Sequence, residues 1–494
     1  MGFRQKTWAL AFAALALGGL AWFFGTGLHP VWELTWLAPL PLLLAAPRLR
    51  AWPAFAVAFF AVALGGLNSW TYLRELTPWP VTLLAVLAPA ILFGWFAVIH
   101  RGLVLRGYLL RAAFSLPILW TAYEFLAEFQ SVHSTWGNLA YTQMDCLPIL
   151  QIACITGIWA ISFFVFLLPS TVAALASPGP PRHRPALVAI VAMIYAAVLG
   201  FGIARLHTTP SAPRVTVGLI ASDAPQTLFP SSAGTARLIA AYAEQIPQLA
   251  AQGAQVIVIP EKLGRIESND LAIADSILEE AAQASHVWIL AGFQHMPNLN
   301  EARLYSPQGT LAGTYEKHHL LPVFEGNLLP GTKRLLITQP TGRWGVEICK
   351  DMDFPGLARQ YGRDGAALML VPAWDFVVDG WLHGRMAILR GVEDGFSLAR
   401  APKQGILTVS DDRGRVLAQR SSGAAPFTTL VTTVPVRHDP TFDDRSGNWF
   451  PLLDVLAAVI LLFSLLVVPP DPDPFEPAAS SGRHSAPSTT TAAT

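Results

Sequence analysis

Two spacings of apolar residues divide the chain. Through about the first 200 residues, and again near the end, apolar residues run almost without interruption for about the 20 residues of helix that span a bilayer core. Such runs lie at about 7–25, 31–47, 53–71, 80–99, 108–127, 148–175 and 185–204, with one more at about 451–468. They predict a polytopic α-helical membrane domain of about eight transmembrane helices. Glu33, Arg111 and Glu124 fall in or beside the second and fifth runs. A carboxylate inside a bilayer is costly, so Glu124 is expected at the membrane interface.

Between about Pro213 and Val436 the pattern shortens. The β-branched runs "RVTVGLI", "AQVIVIP", "VWILAGF", "RLLITQP", "AALMLVPA" and "GILTVSD" are separated by helical stretches such as "SSAGTARLIAAYAEQIPQLAAQG" and "DLAIADSILEEAAQASH". That alternation predicts a layered α/β domain. From Pro469 the chain is rich in Pro, Ser, Thr and Ala, which predicts a disordered tail. The expected organisation is a membrane domain with seven helices at 1–207, an α/β domain at 208–438, a linker and eighth helix at 439–468, and a tail at 469–494.

Composition supports a membrane protein. The chain is 53% hydrophobic and 13% charged, against roughly a quarter charged in soluble domains. Its formal net charge is zero, so nothing points to a nucleic-acid partner. Arg4 and Lys6, Arg48 and Arg50, Arg101, Arg106 and Arg111, and Arg182 and Arg184 occupy alternate connections, which marks those connections as cytoplasmic. The amino terminus is then inside, the α/β domain outside and the tail inside. The first run is long and further runs follow at once, so it reads as an uncleaved anchor.

Three cysteines in 494 residues argue against a disulfide framework. Cys146 and Cys154 lie in or near the sixth run and read as packing residues. Cys349, in "GVEICKDMDFP", follows a strand-like segment and admits two readings, a nucleophile or a small buried thiol. Glu261 directly follows "QVIVIP", and Lys317 lies in "GTYEKHHLLPVFEGNLLPG". Chemistry in layered α/β folds gathers where strands give way to loops. A carboxylate, an ammonium and a thiol supply a base, an oxyanion-stabilising cation and a nucleophile. Glu347 is expected to be solvated and is given no role. His318 and His319 are adjacent with no ligand spacing to complete a set, so no metal is assigned, and no glycine-rich phosphate loop or other cofactor motif appears.

The order Glu, Lys, Cys in "IPE", "YEKHHLLP" and "ICKDMDFPGLAR", with "GAALMLVPAWDF", resembles the nitrilase superfamily. That resemblance implies an α-β-β-α sandwich with Glu261, Lys317 and Cys349 as catalytic residues, and transfers Glu325 and Asp351 as supporting acids. Together with the membrane runs, "WGNLAYTQ", "LPILQIACITGIWAISFFVFLLPSTVAAL" and the spacing of His383, Met386, Arg390, Glu393 and Arg400, the chain resembles the apolipoprotein N-acyltransferase family. The departures are Lys350 and Asp351 where that family has Tyr and Glu, Phe229 as the one aromatic after "APQ", "VPAWDF" in place of an asparagine-rich loop, and Lys403 in place of Asn. Lys350, Phe229, Trp374 and His383 are expected to shape the substrate pocket.

The resemblance implies that Cys349 takes a fatty acyl chain from a phospholipid as a thioester. The chain then passes to the free amino group of a diacylglyceryl-cysteine apolipoprotein, in the inner membrane of a bacterium with the catalytic domain on the periplasmic side. The alternatives are a membrane-anchored amidase acting on a small amide and an inactive lipid-binding scaffold.

Overall fold

The computed structural model describes residues 3–177, 183–208, 211–228 and 232–467. Arg182, Phe229 and the tail from 469 lie outside the described residues. Among the described residues, five helices are long and apolar enough to cross a membrane: Gln5–Gly25, Ala51–Leu76, Trp79–Leu105, Arg184–His207 and Trp449–Leu466. The expected count of eight is corrected at three places.

The second run breaks into Trp32–Leu37 and Pro39–Ala45, because Pro39 lacks the N–H that would continue the first helix. The fifth run is one helix, Leu109–Glu128, but Arg111, Glu124 and Glu128 make it too polar to qualify, and much of it is buried in protein. The sixth run falls into Leu147–Leu150, Ala153–Thr156 and the 17-residue Trp159–Leu175. Its break is at Gly157, whose φ of 64° lies in the left-handed region. Glu124 is buried, and its carboxylate accepts the Leu139 N–H at 2.7 Å. A backbone donor in the protein thus takes the place of the interfacial water expected for it.

Among the described residues, the α/β region builds two sheets from thirteen strands. The first contains β1 (Arg214–Ala221), β2 (Val256–Val258), β3 (Arg265–Ile266), β4 (Trp288–His295), β5 (Leu299–Tyr305), β6 (Leu311–Glu316) and the late strand β13 (Thr428–Pro435). Its order is β13-β1-β2-β4-β5-β6, with β3 also on β4. The second contains β7 (Leu335–Gln339), β8 (Gly342–Val346), β9 (Ala366–Trp374), β10 (Ser397–Lys403), β11 (Ile406–Ser410) and β12 (Val416–Ser421), in the order β12-β11-β10-β9-β8-β7. Valines and leucines of both sheets, among them Val217, Leu219, Val346, Leu368 and Leu370, meet in one core. They alternate with residues that face outward, as a sheet buried on both faces requires.

Helices Ser232–Ala243, Ile246–Ala251 and Leu271–Ser285 cover the outer face of the first sheet. The long helix expected from 231 is interrupted because Pro247 sits in the first turn of its second part. Helices Pro355–Arg363 and Gly380–Asp394 cover the second sheet, and Leu357, Met386 and Leu389 belong to the same apolar core as Trp120 and Phe166 of the membrane helices. The α-β-β-α sandwich therefore rests on the helical bundle through one of its own helix layers.

Candidate active site

Strands β8, β9 and β10 run parallel, as do β1, β2 and β4. Their carboxyl ends converge, and the chain leaves them as loops that carry polar residues. Cys349 follows β8 in a 3-10 turn, Cys349–Asp353, with φ of 47°. A non-glycine residue in the left-handed region is costly, and the cost is sustained here by surrounding bonds. Asp351 supplies them: its carboxylate accepts the Ile348 N–H at 3.2 Å, the His319 N–H at 2.7 Å and the Tyr315 hydroxyl at 2.8 Å. The side chain of Asp351 thus ties the nucleophile's turn to the segment that carries Lys317. It does not point to the reacting atoms through any of these bonds.

The Cys349 Sγ donates to the Trp374 carbonyl at 3.5 Å. Glu261, one residue past the "VIVIP" strand end, is 2% exposed. Its Oε1 accepts from Lys317 Nζ at 2.8 Å and from Asn300 Nδ2 at 2.6 Å. Glu325 accepts from Asn300 at 2.7 Å, lies 3.1 Å from Lys317 Nζ, and pairs with Lys262. Glu261, Lys317, Glu325 and Asn300 therefore form one buried network around the thiol.

Charge states follow from that network. Burial pulls the Lys317 ammonium down, but Glu261 and Glu325 outweigh it and hold Lys317 well above the ordinary lysine range. Burial pushes Glu325 up, and the two lysines more than reverse this, bringing it to about 2. Burial, with the Glu261 charge, raises Cys349 well above a free thiol, against the opposing pull of Lys317. Both shifts favour a protonated Cys349 beside a charged Lys317.

Lys350, Trp374 and His383 also border the cavity at this site. Lys350 Nζ donates to the carbonyls of Val132 and Leu320 and lies 5.7 Å from the Phe354 ring centre. It ties the nucleophile's turn to the loop after helix Leu109–Glu128, and Thr135 Oγ1 adds a 2.8 Å bond to the Asp353 carbonyl. Trp374 lines the cavity beside Cys349. His383 lies 3.1 Å from Asp379, whose carboxylate accepts the Tyr72 hydroxyl at 2.7 Å. Burial lowers His383, and Asp379 with Asp353 reverses this to about 9. His318 stacks on Tyr315 and His319 on Phe354, so both rings are used in packing. Glu347 is fully buried with neither oxygen bonded, which corrects the expectation that it is solvated. Burial, and after it the Asp351 charge, raises its carboxyl well above the ordinary range.

Asn300, Lys262, Tyr72, Asp379 and Thr135 were missed. Lys262 directly follows Glu261, whereas Asn300, Tyr72, Asp379 and Thr135 reach the site from other segments, and no pattern in the sequence marks any of them. For Asn300, the one signal is a polar side chain inside an otherwise apolar strand, "LNEARLY".

A cavity of about 1230 Å³ connects these groups to the membrane helices. Cys349, Lys317 and Glu261 line one end, while Trp22, Val62 and Trp120 line the other. This exceeds the roughly 300–1000 Å³ of ordinary small-molecule pockets.

The profile of the apolipoprotein N-acyltransferase N-terminal domain matches residues 8–171, and that of the carbon–nitrogen hydrolases matches residues 221–393. An apolipoprotein N-acyltransferase from Geobacter metallireducens is 26% identical over 89% of this chain and 91% of its own length. One from Haemophilus ducreyi is 25% identical over 92% of this chain and 96% of its own. Among solved structures, an amidase from Nesterenkonia sp. aligns with 21% identity and a TM-score of 0.38, over 45% of this chain and 91% of the amidase.

Proposed function

Because the chain belongs to the apolipoprotein N-acyltransferase family, within the nitrilase superfamily, and is a multi-pass membrane enzyme, we propose that it moves a fatty acyl chain from a phospholipid to the amino terminus of a diacylglyceryl-cysteine apolipoprotein. The observation that carries this reading is the cavity that runs from Cys349 to Trp22, Val62 and Trp120. A hydrolase of small soluble amides has no use for an apolar path into the membrane helices.

In the first half of the reaction, Glu261 takes the proton of Cys349 as the sulfur attacks the acyl carbonyl. Lys317 faces the oxyanion that forms. The ester C–O bond breaks, the proton returns to the leaving oxygen, and a lysophospholipid departs from an acyl thioester. In the second half, the acceptor's neutral amine attacks the thioester and Glu261 receives its proton; the acyl C–S bond breaks, and that proton passes to the leaving sulfur to regenerate the Cys349 thiol. Because the resting thiol is neutral, its proton transfer is coupled to attack. Glu325, itself paired with Lys262, keeps Lys317 charged.

The domain division at 207/208 and 438/439 and an extracytoplasmic catalytic domain belong to the same proposal. The basic residues at alternate connections support that orientation.

The test is incubation of the purified enzyme in lipid with a synthetic diacylglyceryl-cysteine peptide bearing a free amine. The expected products are an N-acyl peptide and one lysophospholipid per peptide, measured by mass spectrometry. Release of free fatty acid with the peptide amine untouched would contradict the proposal.

A further inference from the structure

Lys403 ends β10 directly opposite Trp374 at the end of β9. Its side chain is fully buried. Nζ donates to the Lys262 carbonyl at 2.8 Å and lies 3.7 Å from the centre of the Trp374 indole. Among the described residues no carboxylate forms a salt bridge with it. A buried ammonium held by one carbonyl and one aromatic face is an expensive way to fill space that a methionine would fill without desolvation. Burial accordingly draws Lys403 down to about 7, with Glu261 opposing and Lys262 adding to the fall.

What the ammonium touches gives it a use. Lys262 follows Glu261 directly and has φ of 49°. Trp374 supplies the carbonyl that accepts the Cys349 thiol proton. The next residue, Gln404, also has a left-handed φ, of 50°, and its Oε1 accepts the Trp374 indole N–H at 2.8 Å. The indole is thus gripped on its face by Lys403 and on its edge by Gln404. The same lysine pins the turn that carries the base.

Accepting the acyl-transfer reading, we propose that Lys403 is a positioning residue: it fixes the Trp374 indole and the Glu261–Lys262 turn on two sides of Cys349, so that the wall facing the acyl carbonyl is set before the donor arrives. It touches neither the thiol nor the cavity directly. Its contribution falls on the chemical step rather than on lipid binding, because preorganisation of this kind is felt where the reacting atoms must align.

The experiment follows single-turnover formation of acyl-cysteine from phospholipid vesicles, comparing wild type with Lys403→Met, Lys403→Arg, Trp374→Leu and the double variant Lys403→Met/Trp374→Leu. Lys403→Met is expected to slow acylation at least about tenfold with the half-saturating lipid concentration nearly unchanged. Lys403→Arg, which keeps a cation on the indole, restores most of the rate. The double variant is no slower than the slower single variant. A Lys403→Met rate within about twofold of wild type, or losses that multiply in the double variant, would overturn the proposal. If Lys403→Met does not fold, Lys403→Arg decides: a near-wild-type rate that depends on the indole supports the clamp, and one indifferent to Trp374→Leu refutes it. A wild type that forms no acyl-cysteine would instead refute the acyl-transfer reading.

Discussion

At the residue scale, the division of labour between acids is the main result. Glu261 and Glu325 share Asn300 and Lys317, yet only Glu261 has its charge felt first, after burial, by the thiol. Glu261→Gln is therefore expected to abolish proton transfer, reducing acylation about 10²–10⁴-fold. Lys317→Met is expected to cost about 10²–10³-fold, the usual loss of an oxyanion donor. Both are read from single-turnover rates with the melting temperature as a control for folding. The three strand-end residues were legible in the sequence because each stands where an apolar run stops. Asn300 was not, since a single asparagine inside "LNEARLY" gains meaning only when β5 brings it between two carboxylates.

At the scale of elements, the Cys349 turn is held by the side-chain bonds of its neighbours. Asp351 bonds the backbone of Ile348 and His319 and the hydroxyl of Tyr315. Asp351→Ala leaves those donors buried and unpaired, at a cost on the order of 3 kcal/mol, and releases the strained φ of Cys349. A lowered melting temperature and a loss of acylation should appear together in that variant. The Tyr72–Asp379–His383 contact makes a second prediction, for pH. His383 is raised from 6.5 to about 9, so its stabilising effect is complete below about 6.5 and disappears as pH rises through 9. Thermal melts should fall between pH 8 and 10 in wild type and flatten in His383→Gln. A wild-type melt unchanged over that range would count against a protonated His383. Sequence patterning identified the apolar runs but not their breaks: the proline at 39 and the glycine at 157 act locally within stretches whose hydropathy is otherwise continuous.

At the scale of the whole molecule, one helix layer of the sandwich doubles as its seat on the membrane bundle. The cavity passes from Glu261, Lys317 and Cys349 to the membrane helices. Narrowing its far end tests whether that path is used. Val62→Phe should slow acylation from long-chain phospholipid by about tenfold, as overpacking blocks the chain, while alkylation of Cys349 by a small soluble reagent proceeds as in wild type. Equal slowing of both would mean that the membrane end of the cavity does not carry the donor. This continuity could not be read from the sequence, because Trp22, Val62 and Trp120 look like any other apolar residues of their runs. Two helical regions and a mixed α/β region between them were legible; their junction was not.

The central claim is that Cys349 carries an acyl chain drawn from lipid. The most direct measurement is the intact mass of the purified protein after incubation with phospholipid, in wild type and Cys349→Ala, before and after hydroxylamine. The account predicts one acyl mass on wild type alone, removed by hydroxylamine and matched by lysophospholipid. A folded wild type that stays unmodified, or an adduct that persists in Cys349→Ala, would contradict it.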